Sequence, residues 1–164
     1  MRILGVDPAL TITGYGVIEA KKNKLYVIEA GIISTGSAEL IQSRLAKIYR
    51  SVLSLIKELK PEAMVLEKLY AHYRHPTTAY LLGQARGVIC LTCAKGEIPL
   101  FEYAATRVKK AVVGSGAASK FQVQRMVAGL LGLKSLPRYM DVTDALALAI
   151  AHSYIAKSLV TSNH

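Results

Sequence analysis

Cysteine is scarce: Cys90 and Cys93 are the only two in 164 residues. Their C-x-x-C spacing could serve zinc or redox chemistry, but no second pair completes a metal set. Both lie in the apolar helical run Val88–Ala94, so buried, reduced thiols are expected, in keeping with a reducing compartment. Long hydrophobic stretches are missing as well, and no run reaches the length of a bilayer span. Charges at Arg2 and Asp7 come too early for a signal peptide. A cytoplasmic protein with no membrane-binding helix is expected. With no repeat, linker or low-complexity stretch, the chain reads as one domain over residues 1–158 followed by a short tail, 159–164.

Acids are the other shortage. Eleven Asp and Glu stand against 21 Lys and Arg, a formal net charge of +10. Such an excess points to a polyanion, and nucleic acid is the natural candidate. The basic residues are spread along the chain, with clusters at Lys21-Lys22 and Arg107–Lys110 and no basic tail. At 52% hydrophobic residues there is ample material for a core, which excludes a disordered chain.

Residues 2–7 are an apolar run ending in Asp-Pro and read as a buried strand. Gly14–Ala20 and Lys24–Ser34 are β-rich and suggest an antiparallel hairpin. Apolar residues from Ile41 to Leu59 recur at helical spacing, which predicts a helix over about 38–60, stopped by Pro61. Ala63–Glu67 is a second buried strand that ends in an acid. Further elements are a loop at Tyr70–Pro76, a helix over about 77–95, a strand at Ile98–Tyr103, and helices near 119–131 and 141–158. The order predicts an α/β fold with a mixed sheet.

The few acids fall in a pattern. Asp7 and Glu67 each close a hydrophobic strand, and ligands gather beyond the carboxyl ends of such strands. Asp141 and Asp144, three apart at the head of a helix, share one of its faces. Four carboxylates in one cleft would repel unless cations sat among them, and Mg²⁺ takes carboxylate oxygens together with waters and phosphates. Each acid taken alone has a plainer reading. Asp7 could be a loop residue before Pro8, Asp141 an N-cap, and Asp144 a first-turn acid favoured by the helix dipole.

The motifs run nearly end to end. Ile3-Leu4-Gly5-Val6-Asp7-Pro8 is followed by Thr13–Val17. Leu82-Gly83-Gln84-Ala85-Arg86-Gly87-Val88 occupies the central helix. Glu102-Tyr103, Val108–Val112, Gly114-Ser115-Gly116 and Lys120–Val123 come next, then Asp141-Val142-Thr143-Asp144-Ala145-Leu146-Ala147. Together, over roughly residues 2–155, they resemble the RuvC family of bacterial Holliday junction resolvases, members of the ribonuclease H-like nuclease group. The resemblance implies a ribonuclease H-like mixed sheet with helices on both faces, and a basic loop carried by Val108–Val112 and Gly114–Gly116 after the strand at Glu102-Tyr103. It implies a Mg²⁺-dependent endodeoxyribonuclease that resolves four-way junctions in recombination and repair by paired nicks in strands of like polarity. The catalytic metal ligands would be Asp7, Glu67, Asp141 and Asp144, holding two ions, with Mn²⁺ able to substitute. A homodimer is implied, and a branch-migration machine of the RuvA and RuvB kind as partner. The chain departs from the family pattern at Ala9, where Gly is usual, and at Ala105, where Pro is usual. It also departs at Val142-Thr143, where a small pair is usual, and in the loop after Glu67.

Lys109 and Lys120 match basic positions that the family uses near the scissile phosphate. Ser119–Gln122 reads as a capping box, and a Gly-rich approach to a helix start beside a lysine favours an anion, although it would also suit an ordinary turn with a solvated lysine. Tyr70, His72, Tyr73 and Arg74 mix aromatic and basic groups suited to unstacked DNA bases, and Tyr70 falls where the family places an aromatic wedge. For the tyrosines, packing is the alternative. Ala79, Gly83 and Gly87 recur every four residues on one helix face, which would allow close approach of either the chain's own sheet or a second copy.

Overall fold

The computed structural model describes residues 1–69 and 76–161, the side chains of 159–161 excepted. Five strands, β1 (Arg2–Asp7), β2 (Ile12–Lys21), β3 (Lys24–Ser34), β4 (Ala63–Glu67) and β5 (Leu100–Tyr103), form one sheet in the order β3-β2-β1-β4-β5. β1 to β3 are antiparallel, and β4 and β5 run parallel to β1. The sheet is mixed, as the sequence predicts. Lys22 and Asn23 make the hairpin turn between β2 and β3, both with positive φ (48° and 62°), which matches the twist of paired strands.

Helices cover both faces. α1 (Ile41–Leu59) and α2 (Pro76–Lys95) lie on one, where Leu4, Val6, Met64 and Leu66 meet Ile48, Val52, Ala85 and Ile89. α3 (Ala105–Val113), α4 (Lys120–Leu131) and α5 (Met140–Thr161) lie on the other, where Ile3, Ile18 and Val65 meet Val108, Val127 and Leu146. The two-residue period of β1 and β4 thus feeds two separate cores. α5 is buried without interruption from Ala145 to Ser153, as a helix enclosed on all sides must be.

Several elements differ from the sequence reading, β2 among them, which spans Ile12–Lys21 and not Gly14–Ala20. Val108–Val112, placed by the resemblance in a basic loop, is helical and belongs to α3. Val108 and Val112 give it an apolar face and Gly114 ends it with φ 88°. α1 starts at Ile41 rather than 38, because Glu39 folds back to accept from the Gly36 N–H at 2.6 Å. β5 starts at Leu100 rather than Ile98. α5 runs on to Thr161, past the expected end at 158.

Cys93 is buried in α2, where its thiol approaches the Ile98 carbonyl at 3.2 Å, and burial pushes its pKa up to about 11. Cys90 is half-buried and raised for the same reason. Both are free thiols held in the protonated, unreactive form. No helix among the described residues is long and apolar enough to cross a membrane.

Candidate metal centre and nucleic-acid face

β1 and β4 run parallel with Ile3 opposite Ala63 and Gly5 opposite Val65, and one further step along that register sets Asp7 beside Glu67. Ile3 and Val65 face α5, so the two acids, an even number of residues on, face it too. α5 lies very close to the sheet because glycines lie beneath it. A Cβ at Gly5 would collide with the Ala145 carbonyl, and one at Gly14 with the backbone of Asp141. Glycine inside a strand commonly marks such an approach. Gly14 is the register partner of Asp7, so this contact brings the first turn of α5 next to that carboxylate.

The turn after Asp7 is held from behind. Thr13 Oγ1 donates to the Ala9 carbonyl at 2.6 Å, and the Thr35 hydroxyl donates to the carbonyl of Leu10. The buried Arg44 guanidinium donates to the hydroxyls of Thr35 at 2.9 Å and Thr11 at 3.1 Å. Nothing in the sequence pattern distinguished Arg44 from the other surface charges of α1.

Asp7, Glu67 and Asp144 line one open cavity of about 330 Å³ together with Lys109, Lys120 and Arg86. Asp141 is the second residue of α5, which rules out the N-cap alternative. It stands beside the cavity, not in its lining, and acts on Asp7 through its charge. Burial, then the negative charges of Asp144, Asp141 and Glu67, raise the Asp7 pKa from 3.8 to about 7, with Lys120 opposing. Glu67 is also raised, first by burial and then by Asp144, while Lys120, Lys109 and Arg86 pull it down. Lys120 reaches Asp144 at 3.4 Å. The Ser119–Gln122 capping box that starts α4 is present in both directions, so the position of Lys120 is set by a closed helix end.

Arg86 was missed as a site residue. It donates to the Glu67 backbone carbonyl at 2.8 Å and pairs with Glu102 on β5, tying α2 to the ends of two strands. The one available signal was that Arg86 is the only charge inside α2, whose other charge is its last residue. His152 is buried instead of site-lining: Nδ1 lies 2.8 Å from the Tyr103 hydroxyl and the ring lies against Phe101. Tyr70, His72, Tyr73 and Arg74 fall outside the described residues.

The donor chemistry suits a hard divalent cation. Carboxylates forced together under a helix gain from a positive charge between them. Among the described residues no three acids, cysteines or histidines are drawn close enough to enclose an ion by themselves.

Residues 3–152 match the family described as crossover junction endodeoxyribonuclease RuvC. The enzyme of that name from Moorella thermoacetica is 46% identical over 156 residues, covering 95% of this chain and 93% of its own. The structure superimposes on T. thermophilus RuvC in complex with a Holliday junction substrate with a TM-score of 0.92 and 33% identity, over 96% of both chains. The yeast mitochondrial Holliday junction resolvase Ydc2 shares the fold at a TM-score of 0.69 and 12% identity, over 97% of this chain and 80% of that one. With strand-end acids, a covering α5 and near full-length similarity in agreement, the chain belongs to the RuvC family of crossover junction endodeoxyribonucleases.

Proposed function

We propose that this protein resolves four-way DNA junctions by Mg²⁺-dependent nicks in two strands of like polarity. The observation that carries the reading is that one cavity is lined by Asp7, Glu67 and Asp144 together with Lys109 and Lys120, in a chain of this family. Asp7, Glu67 and Asp144 would hold the ions, with Asp141 completing the set from beside Asp7. Bound metal supplies water activation and charge stabilisation at the leaving oxygen, in the two-ion manner, and Mn²⁺ would serve in its place. The protein's part is electrostatic and positional. Lys109 and Lys120 neutralise the phosphate as point charges, and Arg86 holds the backbone of Glu67 in place.

Two like-polarity cuts call for two equivalent sites, which a two-fold dimer provides. α2 offers the surface. Tyr80 and Leu91 are exposed, and a Cβ added at Gly83 or Gly87 would meet nothing within 4 Å, so this small-residue face does not pack on the chain's own sheet. Tyr70, His72, Tyr73 and Arg74 follow Glu67 closely in sequence and would contact the crossover, with Tyr70 as its wedge. Cytoplasmic location and coupling to a RuvA and RuvB kind of motor belong to the same proposal, by family membership.

The test is cleavage of a mobile junction, a plain duplex and an RNA–DNA hybrid in Mg²⁺ and in EDTA. Symmetric nicks in the junction alone, lost in EDTA, are expected. Preferential cutting of the hybrid would move the chain to another branch of ribonuclease H-like nucleases.

A further inference from the structure

Lys120 directs its ammonium to Asp144, but the next residue leads away from the cavity. Phe121 is 59% exposed, while the inner face of α4 is made by Val123 and Val127. One turn on, the Arg125 guanidinium stands 5.8 Å from the centroid of the Phe121 ring, within cation–π range. Phe121 and Arg125 form one wall of a surface groove of about 360 Å³, and Leu133, Lys134 and Leu136 form the other. That second wall is placed by Gly132, which ends α4 with φ 62° and turns the chain back along the helix. The described lining carries two cations and no acid.

We propose that this groove is a second DNA-contact surface, in which Phe121 stacks on an unpaired base of the strand leaving the metal centre while Arg125 and Lys134 bind the neighbouring phosphates. The inference rests on the junction-cleavage reading and adds to it where the strand goes next. Continuity comes from sequence adjacency: the Cα of Phe121 lies about 3.8 Å from that of Lys120, whose side chain reaches the carboxylates. The proposed path takes a strand whose phosphate lies at Lys120 past Phe121. Charge selects the occupant. An apolar partner protein would be served by Phe121, Leu133 and Leu136 alone, whereas two unopposed cations around an aromatic ring suit a base with its phosphates. Arg125 stands over the ring, and Phe121 remains 59% exposed for stacking.

The experiment measures binding of the full chain to a four-way junction in Ca²⁺, with 5-iodouracil placed at successive positions within about four nucleotides of the cut for photo-crosslinking. Phe121→Ala is expected to melt like wild type, because the ring is exposed, and to bind about tenfold more weakly, the loss of one base–aromatic stack. Phe121→Tyr should retain affinity. Arg125→Ala and Lys134→Ala should each reduce the salt slope by about one. The crosslinked peptide should contain Phe121. Affinity of Phe121→Ala within twofold of wild type overturns the proposal. So does a change in oligomer mass with DNA binding unchanged, which would assign the groove to a second copy. Wild-type protein that neither binds nor cuts the junction overturns the resolvase reading itself, and the groove with it.

Discussion

Under the proposed metal-ligand role of Asp7, function and stability conflict at this residue. Its carboxyl titrates near 7 without metal, against 3.8 ordinarily. The folded protein therefore keeps a proton that the unfolded chain has already released, and metal-free stability falls as pH rises from about 4 to 7. Asp7→Asn should abolish cleavage and spare junction binding, which rests on phosphate contacts. In EDTA the same variant should melt higher than wild type at pH 8, with the gap closing toward pH 4. The expected gain is several degrees, since each kcal/mol moves a chain of this size by roughly 2–4 °C. A variant that melts lower at pH 8 would contradict the crowded-carboxylate account. His152 titrates with the opposite sign. Burial lowers its pKa below 6.5, so the unfolded state takes up a proton first as pH drops. Its contribution is complete above about 6.5 and is lost below, as pH falls toward the folded pKa. His152→Gln should flatten the pH dependence of melting in that window, read by calorimetry at constant ionic strength.

Individual elements were legible from the sequence in proportion to how much their own residues determine them. β1 and β4 were readable because each is an apolar run ending in an acid, and the parallel register then aligns those acids without further help. α3 was not. It has nine residues, its N-cap is Ala104 with no side-chain bond, and the resemblance placed it in a basic loop, although Val108, Val112 and Gly114 carried the helical signal. Ala105 is its first residue, a position where proline is also accommodated, so the departure there leaves the backbone path intact. The neighbourhood of Asp141 and the reach of Arg86 are tertiary facts that no local pattern encodes. The approach of α5 to the sheet can be tested directly. Gly14→Ala places a methyl against the backbone of Asp141. The expected cost is about 1–3 kcal/mol in denaturant melts, as for other overpacked sites, together with a loss of cleavage larger than the loss of junction affinity. Cleavage at the wild-type rate would show that the helix can retreat without disturbing the carboxylates.

At the scale of the whole molecule, the two helical layers have different tasks. The α3–α5 layer carries or covers the carboxylates and the two lysines, and the α1–α2 layer carries the unpartnered small-residue face. Arg86 links them, since it projects from α2 to the carbonyl of Glu67. Leu91→Lys, at a position 53% exposed on α2, should yield a monomer by light scattering with an unchanged fold by circular dichroism, and should convert paired nicks into single, uncoordinated ones. A dimer of normal mass would place the two-fold axis elsewhere. The route of the chain through these layers has a further consequence. Asp7 is made early, Glu67 midway and Asp144 late, and the last joins the others only when α5 docks across β1 and β2. Such distant pairings carry a loop-closure cost that slows folding. On the ribosome, a growing chain carries its first two acids as harmless strand ends. Under the proposed assignment of the carboxylates it gains a complete site only once α5 has emerged and closed over them, so a product truncated before Asp144 is expected to be inert.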